Sequence, residues 1–139
     1  MAEYSVIVTD DRFGSYKEEN EVFSELGINV GVYNFSNEAE AANLLKEADA
    51  VLVNLFPLTK NLINKMNRCM VISRYGVGYD NVDVEAATKK SIWVTRVPDY
   101  SMEDVSDQAL SLLLGCIRKT AYKDRMIREG RWNLQKEWP

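Results

Sequence analysis

The feature that most constrains the fold of this chain is an alternation of short β-rich apolar runs with segments of helical periodicity. The apolar runs predict five strands, at residues 4–9, 28–33, 50–54, 70–73 and 92–95. The intervening segments predict helices at 16–26, 37–48, 59–66 and 84–89. Parallel neighbours need crossover connections, so we expect an α/β fold, a five-stranded parallel sheet with helices on both faces. The flavodoxin-like strand order 2-1-3-4-5 fits, and its ligands bind beyond the carboxyl ends of the strands.

The character of the chain changes after Pro98. Residues 101–119 predict a long C-terminal helix. Apolar residues cover most of its circumference, so we expect it to pack against other elements on two sides. Ser101 and Asp104 have the spacing of a capping box at its start, and a second helix is predicted near 122–129. We expect one domain at 1–100 and a helical extension at 101–139.

Composition excludes several classes of function. A net charge of −4 over 139 residues, without a basic stripe, argues against nucleic-acid binding. No apolar run is long enough to span a bilayer and no signal segment precedes the first strand, so we expect a cytoplasmic protein without a membrane partner. Cys69 and Cys116 lack metal-site spacing and indicate no disulfide framework, so no metal is expected.

The loop after the fourth strand carries the strongest site signal. Gly76 and Gly78 flank Val77, and such a turn can present successive backbone N–H groups to a carboxylate or a phosphate. Asp83 can cap the helix that follows. An ordinary strand-to-helix turn is the simpler interpretation of this short motif alone.

An ordered set of motifs surrounds that loop, at residues 74–83, 92–98, 105–110, 118 and 130–132. Together they resemble the N-terminal half of the D-isomer-specific 2-hydroxyacid dehydrogenases, over nearly the whole chain. The forms of residues 74–83 and 98–101 look most like the corepressor-related (C-terminal-binding-protein) branch of that family.

The resemblance implies roles for particular residues. The N–H groups of Val77 and Gly78 would hold the substrate carboxylate, and Gly76 would shape the turn. Val77 would also lie near the nicotinamide. Arg74 could add a positive charge to the binding site, or it could form an ion pair with surface carboxylates.

Four further positions are implied in the same way. Asn54 and Leu58 fall on a loop that closes over the variable end of the substrate, where apolar Leu58 favours a small or apolar substituent. Tyr100 would line the substrate pocket. Val105 would touch the nicotinamide, although plain helix packing explains it equally well.

The chain also lacks features that the family's chemistry requires. It contains no histidine, the residue whose pKa suits proton transfer to the substrate oxygen, and no Gly-x-Gly-x-x-Gly fingerprint. In family members the catalytic arginine, carboxylate and histidine lie downstream, so no catalytic residue is assigned here. We expect the substrate-binding part of an oxidoreductase for a 2-hydroxy or 2-oxo acid, inactive alone. NAD or NADP would bind tightly in the complete protein only, and a homodimer would form through residues 101–119.

Two other interpretations compete. A phosphorelay receiver has the same sheet order, but Asn54 replaces its phosphoacceptor aspartate and Arg96 stands where its lysine would be. A dimerisation or corepressor-type interaction module would use the apolar helix as its interface.

Overall fold

The computed structural model describes residues 4–132, and the chain forms two compact units, Met1–Pro98 and Asp99–Pro139. Strands and helices alternate through the first unit, as the periodicity predicts. The strands are β1 (Val6–Val8), β2 (Val30–Val32), β3 (Ala50–Val53), β4 (Val71–Arg74) and β5 (Trp93–Thr95). The helices between them are α1 (Lys17–Ser24), α2 (Glu38–Leu45), α3 (Lys60–Lys65) and α4 (Val84–Lys89).

The five strands form one sheet in the order β2-β1-β3-β4-β5, and every pair is parallel. The predicted fold class and strand order are confirmed. Crossovers between parallel strands are right-handed as a rule, and with this strand order the rule puts α1 on one face of the sheet and α2, α3 and α4 on the other. In agreement, α3 contacts both α2 and α4.

The hydrophobic core lies mainly between the sheet and the three-helix layer. Its largest fully buried apolar side chains include Leu45, Leu58, Leu62, Ile63 and Met66. Burial of each such side chain contributes about 1.5–3 kcal/mol. Strand β3 is the central strand of the sheet, and β4 lies beside it. Val51 and Val53 of β3 and Ile72 of β4 are fully buried, so the loops that follow these strands start from well-packed elements.

Three of the helices begin with a side-chain cap. The Asn37 side chain accepts from Glu40 N at 2.9 Å, Thr59 Oγ1 accepts from Leu62 N at 3.3 Å, and Asp83 Oδ1 accepts from Ala86 N at 2.8 Å. These caps start α2, α3 and α4 at the carboxyl edge of the sheet, and the cap at Asp83 is the one predicted above from the sequence.

An ion pair between buried Asp49 and half-exposed Arg68 lies at the opposite edge of the sheet. Asp49 accepts from Arg68 Nε at 3.1 Å and from Arg68 Nη2 at 3.0 Å, and its Oδ2 accepts from Ser5 N at 2.8 Å. This pair ties the start of β3 to the residues that lead into β1 and β4.

The second unit contains α5 (Met102–Ile117) and α6 (Thr120–Arg128), separated by Lys119 in the left-handed conformation with φ 52°. Ser101 precedes α5 but its side chain makes no cap hydrogen bond, so the predicted capping box is not formed. No residue of α5 is buried. Within residues 4–132, no helix has the length and apolar character needed to cross a membrane.

Candidate functional site

The residues singled out in the first unit meet at the carboxyl ends of β3 and β4. The loop of residues 75–83 joins β4 to α4, and the loop of residues 54–59 joins β3 to α3. Six of the predicted site residues lie on or beside these loops: Asn54, Leu58, Arg74, Gly76, Val77 and Gly78. This is the edge at which parallel α/β sheets bind their ligands.

The two loops are held together by main-chain and side-chain hydrogen bonds. Leu58 N donates to Asn81 O at 2.8 Å, and Asp83 N donates to Leu58 O at 3.0 Å. Asn81 Nδ2 also donates to Asn54 O at 3.2 Å and to Phe56 O at 3.0 Å. The later half of the 75–83 loop therefore forms an isolated parallel bridge, between Leu58 and Val82, rather than a free turn.

Leu58 itself is part of the core. Its side chain is 1% exposed, and it packs with the buried apolar cluster under the loops. The implied contact between Leu58 and a substrate substituent would need this side chain at the surface. In this structure Leu58 acts on the site through its backbone, which fixes the position of residues 81–83.

The first half of the loop presents two free N–H groups. Gly76 O accepts from Val97 N at 3.2 Å, and Val77 O accepts from Arg96 Nη1 at 3.0 Å. In a planar trans peptide the N–H points away from the C=O, so each bond also fixes the direction of the following N–H. Neither Val77 N nor Gly78 N has an acceptor within residues 4–132. The loop thus holds two oriented, unpaired donors next to each other.

The structure also explains why residue 78 is glycine. Its φ lies outside the left-handed region, and a Cβ built there would have Asp80 Oδ2, at 3.6 Å, as its nearest neighbour. Glycine is therefore not needed for an unusual backbone angle. Its advantage is an uncovered N–H that a ligand can approach closely.

Charged residues of both signs flank these donors in the sequence. Arg74 ends β4, and its buried Nε has no hydrogen-bond partner within the described residues. Neither Asp80 nor Asp83 forms an ion pair with it in that part of the chain. An unpaired cationic donor favours an anionic ligand, whereas the nearby Asp80 carboxylate opposes one.

Aromatic side chains support the start of the loop. Tyr75 donates from its hydroxyl to Glu19 Oε1 at 2.8 Å, and its ring packs edge-on against Phe13 with centroids 5.1 Å apart. Burial, and then the hydrogen bond to Glu19, raise the pKa of the Tyr75 phenol. Tyr75 is therefore a structural link from the loop to α1, and it stays protonated at neutral pH.

Asp10 fixes the neighbouring loop from β1. Its buried carboxylate accepts from Asn54 N at 2.9 Å and from Leu55 N at 2.7 Å. The backbone of Asn54 is thus held from two sides, by Asp10 at its N–H and by Asn81 at its carbonyl. An Asp-Asp pair after the first strand is the sequence signal for this contact, but it does not indicate the partner.

The two remaining predicted residues belong to the second unit. Tyr100 is 65% exposed, and Val105, in the second turn of α5, is 63% exposed. Within the described residues no group of three or more His, Cys, Asp or Glu side chains could hold a metal.

Sequence reasoning missed two residues that shape the site. The side chain of Asn81 bridges from its own loop to the loop after β3. Arg96 contacts Val77 across 19 residues of chain. The available signal is the sheet order, because it places the residues that follow β3, β4 and β5 side by side.

The fold and the loop define a parallel α/β domain with two adjacent unpaired N–H groups in a loop at the carboxyl edge of its sheet. The chain matches the family described as D-isomer specific 2-hydroxyacid dehydrogenase, catalytic domain, over residues 6–129, and it belongs to that family. This match leaves the receiver interpretation without support.

Named relatives agree with this assignment. A glyoxylate reductase of Korarchaeum cryptofilum is 37% identical over 65% of this chain, which spans 27% of that protein. A D-3-phosphoglycerate dehydrogenase of Methanocaldococcus jannaschii is 31% identical over 94% of the chain and 24% of that protein. These names give no specific support to the corepressor-related branch.

A solved structure has the same fold. An acyclic imino acid reductase in complex with NADPH and D-Arg superimposes with a TM-score of 0.84 at 26% identity, over 95% of this chain and 43% of that one. The chain therefore spans well under half the length of these relatives.

Proposed function

We propose that this chain is the substrate-binding part of an NAD(P)-dependent D-2-hydroxyacid dehydrogenase, with residues 1–100 as the substrate domain and 101–139 as interdomain and dimerisation helices. The observation that carries the proposal is the pair of oriented, unpaired N–H groups at Val77 and Gly78. Backbone donors suit a carboxylate because they are preorganised and cannot lose their proton. Arg74 adds a cation beside them.

The chemistry of the proposed reaction is divided between this chain and groups that it does not contain. In the complete protein a nicotinamide cofactor would supply a hydride to C2 of the 2-oxo acid, and a proton donor would supply a proton to the carbonyl oxygen, which becomes the hydroxyl. This chain has neither a dinucleotide fingerprint nor a histidine, so groups other than its own residues would hold the dinucleotide and supply the proton. The task proposed here is to hold the carboxylate and thereby position C2.

A titration of the isotope-labelled chain tests the proposal. We expect pyruvate to shift the NMR resonances of the Val77 and Gly78 amides, and pyruvamide, which lacks the carboxylate, to leave them unchanged. Absence of any shift at these two amides with tens of millimolar pyruvate would reject the proposed site.

A pair of variants at one position sharpens the test. Gly78→Ala keeps the N–H, and its Cβ would meet Asp80 at an ordinary contact distance of 3.6 Å. Gly78→Pro removes the N–H. A hydrogen bond to a charged group contributes about 1.5–3 kcal/mol, so we expect the proline variant to bind pyruvate at least about tenfold more weakly than the alanine variant. Thermal unfolding of both variants separates this effect from misfolding.

We propose a homodimer through α5, because this helix has no buried residue and exposes large apolar side chains. These are Met102, Val105, Leu110, Leu112, Leu113, Leu114 and Ile117. Light scattering of the chain tests this. A dimer that ignores 2-oxo acids would instead favour the interaction-module function.

A further inference from the structure

Arg96 occupies a position from which it controls one of the two free N–H groups. It is the first residue after β5, and β5 pairs with β4 so that Thr95 lies opposite Ser73. Its Nη1 donates to Val77 O at 3.0 Å, and its Cζ lies 5.5 Å from the centroid of the Tyr79 ring. The guanidinium therefore contacts the loop on both sides of Gly78.

The hydrogen bond from Arg96 to Val77 O also fixes the orientation of the next N–H group, that of Gly78. Val77 O and Gly78 N belong to the same planar peptide unit, so the direction of the carbonyl sets the direction of the Gly78 N–H. The preceding unit is fixed in the same way, because Gly76 O accepts from the backbone of Val97. The Val77 N–H is thus oriented by a main-chain hydrogen bond. The Gly78 N–H is oriented by the side chain of Arg96, which can be substituted.

The residue type matters as well as the contact. Arg96 is exposed, so packing does not hold it in place, and the Tyr79 ring supplies a surface on which a planar guanidinium can stack while it donates. Donation from a cation to Val77 O also polarises the shared peptide, which makes its N–H a stronger donor. The same charge offsets the carboxylate of Asp80 near Gly78.

We infer that Arg96 is a positioning residue for carboxylate binding: stacked on Tyr79, it clamps Val77 O and thereby aims the Gly78 N–H at the substrate. This inference rests on the proposed function of the Val77 and Gly78 amides. It adds the residue that fixes the orientation of one of them.

The first test uses the free protein and needs no ligand. Residual dipolar couplings report the direction of each N–H bond in the labelled 139-residue chain. We expect Arg96→Met to change the Gly78 N–H coupling and to leave that of Val77 unchanged. Tyr79→Leu should change the Gly78 coupling in the same direction but less, because it removes the stacking surface only. An unchanged Gly78 coupling in Arg96→Met overturns the inference.

The second test is pyruvate affinity from the same amide shifts. We expect Arg96→Met to weaken binding about fivefold to tenfold, as for the loss of one well-aligned donor. Arg96→Lys keeps the charge and a single donor, so it should restore part of both the affinity and the coupling. Lys65→Met is the matched control, since it removes an exposed charge at the far end of α3, and it should match the wild type.

The outcomes separate the two proposals. If the wild type does not bind pyruvate, the proposed function fails, and the role of Arg96 in substrate binding fails with it. If the wild type binds and Arg96→Met weakens binding without a change in the Gly78 coupling, Arg96 acts through its charge alone, and the positioning role is overturned. The positioning role is supported when coupling and affinity change together and lysine partly rescues both.

Discussion

Asn81 connects the candidate site to the stability of the domain, and this connection can be measured. Its Nδ2 donates to Asn54 O and Phe56 O at 3.2 and 3.0 Å. Each bond contributes about 1 kcal/mol, so Asn81→Ala should lower the free energy of unfolding by about 2 kcal/mol. With a urea m value of about 2 kcal/mol/M for a domain of this size, the unfolding midpoint should fall by about 1 M.

Asn81→Asp provides a sharper version of the experiment, because it replaces the donor with an acceptor. At neutral pH the new carboxylate would face two carbonyl oxygens, and we expect a total loss of about 3–4 kcal/mol. The same contacts raise the pKa of the new carboxyl group in the folded state above its unfolded value of about 3.9. The additional loss of unfolding free energy in Asn81→Asp, relative to Asn81→Ala, is therefore complete above the pKa of the folded state. It disappears as the pH falls below the pKa of the unfolded state.

Urea unfolding at pH 7 and pH 4, followed by far-ultraviolet circular dichroism, measures both effects. Asn43→Asp is the control, because Asn43 is an exposed residue of α2 and the substitution makes the same chemical change. We expect the difference in unfolding free energy between Asn81→Asp and Asn43→Asp to be smaller at pH 4 than at pH 7. The reasoning is refuted if the unfolding free energy of Asn81→Ala lies within about 0.5 kcal/mol of that of the wild type. It is also refuted if the difference in unfolding free energy between Asn81→Asp and Asn43→Asp does not depend on pH.

Three further predictions concern other parts of the chain. Arg68→Met leaves the buried Asp49 carboxylate without its half-exposed cation, so it should lower the unfolding free energy by about 1–2 kcal/mol, and Asp49→Asn in the same chain should recover part of this loss in urea unfolding. Burial raises the pKa of the Cys69 thiol to about 11, so at pH 8 a disulfide reagent should label buried Cys69 only after unfolding. Asp80→Asn removes a negative charge beside Gly78, so it should tighten pyruvate binding about twofold to fivefold at low salt, and added salt should reduce the difference.

The fold could be predicted because its signals are local. Each strand is a short apolar run, each helix has a 3.6-residue period, and parallel pairing follows from their alternation. The caps at Thr59 and Asp83 follow from residue type and position in the same way. The failure at Ser101 is informative, since a capping box needs a particular backbone geometry that the residue pattern alone does not ensure.

Only the part of the candidate site that consecutive residues form could be predicted from the sequence. Residues 76–78 are recognisable as a loop with free N–H groups, but the contacts that orient those groups come from Arg96 and Val97, which follow the next strand. The direction of the Leu58 side chain could not be predicted for the same reason, because an apolar residue in a loop can face a ligand or the core, and here it is buried in the core. A rule follows for parallel sheets. Once strand order is predicted, the first residues after adjacent strands should be paired with each other, and a cation after β5 becomes a candidate partner for a carbonyl after β4.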